Sequence, residues 1–224
     1  MKNKIVVVTG AFGVLGAAVA RAAAARGARV AALDYAPEPR IDLGADIWAL
    51  GGVDLSDEGA AANGFAQVAE RFGRIDALAN VAGGFAWTKV ADAAPNAWER
   101  LWALNLRTTL NASRAVLTHG AKSIVNVGAA TAVKAAAGMG PYAASKAAVH
   151  RLTEALADEL KDEGVRVNAV LPSIIDTPAN RADMSGADFT KWVAPADLAA
   201  AILFLLSDEA RAVTGALVPV TGRV

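Results

Sequence analysis

The segment Tyr142-Ala143-Ala144-Ser145-Lys146 sets a phenol and an ammonium four residues apart. At that spacing in a helix the two side chains share one face, about one turn from each other. A free phenol titrates near ~10, too high for ready proton exchange at neutral pH. A neighbouring ammonium favours the phenolate. Such a pair can hold and release one proton at a substrate oxygen or nitrogen, general acid–base help usually worth about 10²–10⁴ in rate. A tyrosine on an alanine-rich helix is also an ordinary packing residue, so the pair takes its meaning from what precedes it.

What precedes it is a turn built to meet phosphate. Thr9-Gly10-Ala11-Phe12-Gly13-Val14-Leu15-Gly16 follows an apolar run and opens a helical one. Glycines in such a turn let backbone N–H groups approach a pyrophosphate that the helix N-terminus favours electrostatically. Gly10, Phe12, Gly13, Leu15 and Gly16 are therefore the candidate phosphate contacts. Asp34 ends the next apolar run, 18 residues beyond Gly16. An aspartate there can accept both hydroxyls of an adenosine ribose and would repel a 2′-phosphate, so the pattern favours NAD(H) over NADP(H). Arg21 and Arg26 lie in the first helix and are not placed beside Asp34 as a phosphate clamp would be. Further on, Asp54 reads either as a helix N-cap or as an adenine contact beside Leu55. Asn80 reads as a cofactor neighbour or as a tie within the sheet. Ala82, Gly83 and Gly84 follow it, and the glycines leave room for a cofactor close to the chain.

The elements that must carry these residues alternate from end to end. Apolar runs at Ile5–Thr9, Arg29–Asp34, Ile47–Asp54, Ile75–Val81, Ser123–Val127, Arg166–Leu171 and Leu217–Val220 read as strands. Leu15–Arg26, Glu58–Phe72, Trp98–His119, Tyr142–Glu163 and Pro195–Ser207 read as helices. Strands apolar on both faces, alternating with helices, mean a parallel sheet covered on both sides. The expectation is a single doubly wound α/β domain of Rossmann type over residues 1–224, with seven strands and helices on both faces. Residues 173–192, the longest polar interruption late in the chain, form the candidate substrate loop.

Composition removes other chemistries. There is no cysteine, hence no disulfide, thiolate metal site or cysteine nucleophile. His119 and His150 alone cannot build a three-histidine zinc site, and neither HExxH-like spacing nor a GxSxG elbow occurs, so no metal is expected. Formal charge is zero with no basic run, which excludes a nucleic-acid footprint. No apolar stretch of membrane-spanning length and no signal-like segment is present, so a cytoplasmic protein acting on a small molecule is expected.

Taken as an ordered set, Gly10–Gly16, Asp34, Asp54, Asn80–Gly83, Asn105, Tyr142/Lys146 and Pro172…Thr177 resemble the short-chain dehydrogenase/reductase family over essentially the whole chain. That resemblance implies an oxidoreductase in which Asn105 joins Tyr142 and Lys146 as a catalytic residue, holding a water that leads to Lys146. Lys146 would also grip the nicotinamide ribose. Thr177 would meet the carboxamide, with Pro172 and Ile175 beside it. It further implies a homodimer or homotetramer paired through the helices at Trp98–His119 and Tyr142–Glu163. Two departures stand out: the middle glycine of the turn is Gly13 rather than position 14, and the family's serine, 13 residues before the tyrosine, is Ala129. Thr131 is the nearest hydroxyl. Both departures resemble the dihydropteridine reductase branch, as do Ala169–Pro172, Asp176–Arg181, Met184, Ala187–Phe189 and Trp192. A quinonoid dihydropterin is already activated toward hydride, so the lost serine would matter less; the bland reading of Ala129 is a catalytically weakened enzyme. The alternatives are a general carbonyl reductase or alcohol dehydrogenase of the same family, and a non-catalytic dinucleotide-binding sensor, against which Tyr142 and Lys146 argue. Asn105 follows the general family instead, and Phe85 stands where that branch has tryptophan. Phe85, Trp87, Ala129 and Trp192 are candidate substrate contacts. Trp98 and Trp102 read as a core or subunit stripe, and His150 as exposed or interfacial.

Overall fold

The run Ile5-Val6-Val7-Val8 is apolar at every position because both of its faces are covered. Val6 and Val8 enter one core while Ile5 and Val7 enter another, the alternation a pleated strand imposes. The computed structural model describes residues 1–224. Its seven strands are β1 (Ile5–Thr9), β2 (Arg29–Leu33), β3 (Ile47–Leu50), β4 (Ala77–Asn80), β5 (Ser123–Val127), β6 (Arg166–Pro172) and β7 (Leu217–Val220). They form one parallel sheet in the order β3-β2-β1-β4-β5-β6-β7.

Seven α-helices accompany them: α1 (Val14–Ala25), α2 (Glu58–Phe72), α3 (Pro95–Leu101), α4 (Thr108–Leu117), α5 (Gly140–Glu159), α6 (Pro178–Asp183) and α7 (Pro195–Leu206). Helices α1 and α7 close one face of the sheet, and α2, α4 and α5 close the other. Ala17, Ala20 and Ala23 are fully buried, a stripe of methyl groups that lets α1 lie close to α7 and to the sheet. No helix is long and apolar enough to cross a membrane.

The chain runs outward from β1 through β2 to β3 and then returns to β4 on the other side of β1. The carboxyl ends of β1 and β4 thus flank a topological switch point, where such sheets bind ligands. The crevice is held by Thr9, whose Oγ1 accepts from the Val81 and Ala82 amides at 3.1 Å each.

Three sequence expectations need correction. β3 stops at Leu50 rather than Asp54, because Gly51 and Gly52 follow; Gly52 has φ +75°, and a Cβ on Gly51 would overlap the Pro37 carbonyl. β4 loses its first two and last residues, beginning at Ala77 and ending at Asn80. The helix expected over Trp98–His119 starts at Pro95 and is broken by a π-helical turn at Trp102–Arg107. There the Thr108 and Thr109 hydroxyls donate to the Leu104 and Asn105 carbonyls at 2.8 Å, competing with the regular ladder.

Candidate active site

A cleft of about 2030 Å³ opens at the carboxyl ends of the strands, larger than the ~300–1,000 Å³ of an ordinary small-molecule pocket. One end is made of backbone. Gly10 leaves β1 at φ +61°, and a Cβ there would come within 2.8 Å of Ala82. A Cβ on Gly16 would overlap the Gly10 carbonyl, so α1 can pack this close to the turn only with glycine there. Gly13 caps α1 with no side-chain hydrogen bond and no acidic residue stands in the first turn, so the helix terminus is left to a ligand. Gly10, Phe12, Gly13, Leu15 and Gly16 all line the cleft. Asp34 is anchored on both oxygens: Oδ2 accepts from the Phe12 amide and Oδ1 from the Ala36 amide, each at 2.9 Å. Its remaining lone pairs face the cleft, which suits ribose hydroxyls.

Asp54 and Leu55 line the cleft too, but Asp54 is not a helix cap. Its Oδ1 accepts from the Ser56 amide and hydroxyl, and Asp57 caps α2 instead, accepting from the Ala60 amide at 2.7 Å. Ala82, Gly83, Pro172, Ile175 and Thr177 border the middle of the cleft. Thr177 also caps α6 through the Asn180 amide. These residues together fit a dinucleotide: an uncapped helix terminus over a glycine cradle, and a fixed carboxylate at the end of β2.

Asn80 is corrected. It is buried outside the cleft, donating to Ser113 Oγ at 3.1 Å and to Asn126 Oδ1 at 3.0 Å, so it ties β4 to α4 and β5. Its own Oδ1 has no partner. Asn105 stands behind Gly83 and Gly84. Fully buried in the π-helical turn, it accepts from the Gly84 amide (2.9 Å) and donates to the Gly84 carbonyl and Ser145 Oγ (3.0 Å each). These bonds tie the loop after β4 to α5, and the second lone pair of Oδ1 stays open near Gly83, where a Cβ would come within 2.7 Å of Asn105 Oδ1 and 3.3 Å of Lys146 Nζ.

The chemical end is made of side chains. Tyr142 and Lys146 lie in the first two turns of α5 and both line the cleft. Lys146 is buried and its Nζ donates to the Val127 carbonyl at 2.7 Å. Burial lowers Lys146 to about 8 and raises Tyr142 to about 12, since each charged form loses water. For Tyr142 desolvation is the dominant influence, so the phenol keeps its proton at neutral pH. The Phe85 ring stands edge-on to Tyr142, centroids 4.9 Å apart. Trp87 packs over Gly138, whose φ of +76° and missing Cβ make room for the indole. Phe85, Trp87 and Ala129 line the cleft. Trp192 does not: it is buried against Phe189, at 4.7 Å, beneath the 173–192 loop.

His150 is also misplaced by the sequence reading. It is 2 % exposed, and its Nε2 accepts from the Ala129 amide at 3.3 Å. Burial, with Arg151 and Lys146 nearby, lowers it to about 4, so the imidazole is neutral. No local pattern announced this, because position 150 lies one turn beyond Lys146 on a mixed helix face. Sequence reasoning passed over Tyr35 and Lys134, which line the cleft from loops without a motif, and gave Met139 and Met184, also in its lining, no place in a site.

The family model for short chain dehydrogenases matches residues 4–187. Meso-2,3-butanediol dehydrogenase of Serratia marcescens is 34% identical, with 98% of this chain and 94% of that protein aligned. A short-chain type dehydrogenase/reductase from Mycobacterium ulcerans has the same fold at a TM-score of 0.93 and 26% identity, covering 100% of this chain and 90% of that one. Carveol dehydrogenase from Mycobacterium avium, solved in complex with NAD, gives 0.88 at 26% identity over 99% and 97% of the two chains. These likenesses are to dehydrogenases of varied substrates, and the tie to the dihydropteridine reductases rests on sequence motifs alone. The chain belongs to the short-chain dehydrogenase/reductase family, and its cleft is that of an oxidoreductase working with a nicotinamide dinucleotide.

Proposed function

We propose that this protein is an NADH-preferring reductase of a planar quinonoid ring of the dihydropterin kind, with Tyr142 as its proton donor. The observation that carries the reading is the union in one cleft of the Asp34-marked trough with the Tyr142–Lys146 pair. The nicotinamide supplies the hydride when bound. Tyr142, protonated at any physiological pH, gives its phenolic proton to the substrate atom that gains electron density. Lys146, mostly charged at neutral pH, then stands on the same helix face to balance the phenolate. It also binds the ribose. Asn105 keeps the Gly84 loop and α5 in register.

Asp34 carries the preference for NADH, as a fixed carboxylate where NADPH would place its 2′-phosphate. The quinonoid substrate is supported by the methyl group of Ala129 on the floor, by the walls of Phe85, Trp87, Met139 and Met184, and by the late-chain motifs. The loop 173–192 serves as the substrate cover. Arg181 grips Asp176 from α6 through both carboxylate oxygens, at 2.5 and 2.7 Å, and stacks on Phe189 at 4.9 Å. Pairing into a homodimer or homotetramer through α3–α4 and α5 accounts for Trp102, which is 47% exposed.

A second reading, a reductase of simple ketones or the reverse dehydrogenase, is favoured by the likeness to butanediol dehydrogenase. One assay decides. The protein is mixed with NADH and quinonoid 6,7-dimethyldihydropterin, then with diacetyl, and nicotinamide absorbance is followed. Turnover with the pterin at least tenfold faster supports the first reading. Turnover confined to diacetyl replaces it with the second, and oxidation of NADH with neither overturns both.

A further inference from the structure

Position 129 carries a methyl group, yet the turn that follows it returns a hydroxyl to the same cleft. Lys146 Nζ takes the Val127 carbonyl at the end of β5 (2.7 Å), and the Gly128 amide donates to the Val170 carbonyl (2.9 Å). Ala129 remains extended, at φ −160° and ψ +143°, with its amide held by the buried His150. The chain then leaves the strand direction in a 3₁₀ turn, Ala130–Ala132, closed by bonds from the Ala132 amide to the Ala129 carbonyl and from the Val133 amide to the Ala130 carbonyl, 3.1 Å each. Thr131 sits in that turn and lines the cleft with Ala129, Lys146 and Tyr142.

The hydroxyls of the cleft differ in what they are already doing. Ser56 donates to Asp54, Thr108 to the Leu104 carbonyl and Ser173 to the Thr221 carbonyl, while Thr177 caps α6. Away from the exposed Tyr35 at the adenosine end, Tyr142 and Thr131 are the two whose hydroxyls are committed to no protein group. Thr131 is half-buried, lines the same cleft as the proton donor, and follows a residue whose amide an imidazole holds, so its hydroxyl is open to a ligand in that cleft.

We propose that Thr131, and not position 129, supplies the second hydrogen bond to the substrate: it orients the substrate so that the reacting atom faces Tyr142. The methyl of Ala129 leaves space under a ring, and the donor two residues further on reaches a polar group at the ring's edge. This rests on the oxidoreductase reading given above but not on which of its two substrates is correct.

The test uses the intact protein, loaded with NADH, on whichever probe the wild type reduces, quinonoid 6,7-dimethyldihydropterin or diacetyl. Thr131→Val keeps the shape and removes the hydroxyl; it raises KM about tenfold, the loss expected for one hydrogen bond, and changes kcat less than threefold. NADH affinity, read from nicotinamide fluorescence, stays within twofold. The reduced product, 6,7-dimethyltetrahydropterin or acetoin, titrated into NADH-loaded protein, binds about tenfold more weakly. Thr131→Ser restores both. A Thr131→Val protein within twofold of wild type in KM and product affinity overturns the assignment while leaving the oxidoreductase reading intact. A Thr131→Ser protein as impaired as Thr131→Val also overturns it, because the methyl would then matter and not the hydroxyl. A wild type that turns over neither probe fails earlier, and takes both proposals with it.

Discussion

The two ends of the cleft are built from different materials. At the dinucleotide end the working groups are backbone: the uncapped start of α1, the glycine turn, and an aspartate whose two oxygens are fixed by main-chain amides. Gly10 and Gly16 admit no side chain, since a Cβ on either would run into backbone atoms of the same turn or of the segment that follows β4. At the other end the working groups are side chains drawn from helices and loops and packed together: Phe85 on Tyr142 of α5, Trp87 over Gly138, Arg181 of α6 on Phe189. A site made of backbone resists change, because few substitutions alter the position of a main-chain amide. A side-chain site can be rewritten one residue at a time, as Ala129 shows.

The separation is broken most forcefully at Tyr142. Tyr142→Phe should lower kcat by about 10²–10⁴, the usual worth of a positioned proton donor. NADH affinity by fluorescence titration should stay within about threefold. An equal fall in affinity would mean that the two ends are not independent and that Tyr142 is part of the cofactor's grip.

This division also explains what could be read from the chain. The sheet, its seven strands and the phosphate turn follow from local rules: apolar runs for strands buried on both faces, glycine where backbones touch, an acid at the end of β2. Tyr142 and Lys146 are legible because one helix fixes their relation. What escaped notice depends on contacts between distant segments. His150 becomes buried only because Gly128 has no side chain to fend off its ring. Asn105 is buried in a π-helical turn that no periodicity announces. Asn80 serves the sheet because Ser113 and Asn126 happen to meet it. Trp192 supports the substrate loop from below, where an aromatic in a polar stretch had suggested a wall. Length, charge and cysteine content, by contrast, had already excluded most other chemistries.

A smaller effect sharpens the comparison from the dinucleotide end. Asp34→Asn keeps an acceptor for the Phe12 or Ala36 amide and removes the charge. NADH should bind about 10-fold more weakly, and the ratio of NADPH to NADH affinity should rise by one to two orders of magnitude, in line with ~1–3 kcal/mol for a charged hydrogen bond. At saturating NADH, KM for the substrate should not move. A shift in substrate KM comparable to the loss of NADH affinity would show that the carboxylate acts through the whole cleft.

The smallest effect concerns the residue that belongs to both ends. Lys146 is lowered to about 8 by burial, so its ammonium is lost as pH rises through that value. If the charged form both binds the ribose and balances the phenolate, kcat/KM for reduction is level below pH 7 and declines above about 8. Stability has the opposite sign. The unfolded lysine holds its proton up to about 10.5 and the folded one releases it near 8, so the unfolded chain binds more protons between these values. Over that window the Lys146 contribution makes the protein more stable as pH rises, while activity falls. An arginine stays charged throughout. Lys146→Arg should therefore flatten the fall in kcat/KM between pH 8 and 10 and abolish the matching rise in stability, measured by chemical denaturation at each pH. Should the decline in rate persist unchanged in the arginine variant, the titrating group lies elsewhere, and Lys146 would be a structural partner of the Val127 carbonyl and nothing more.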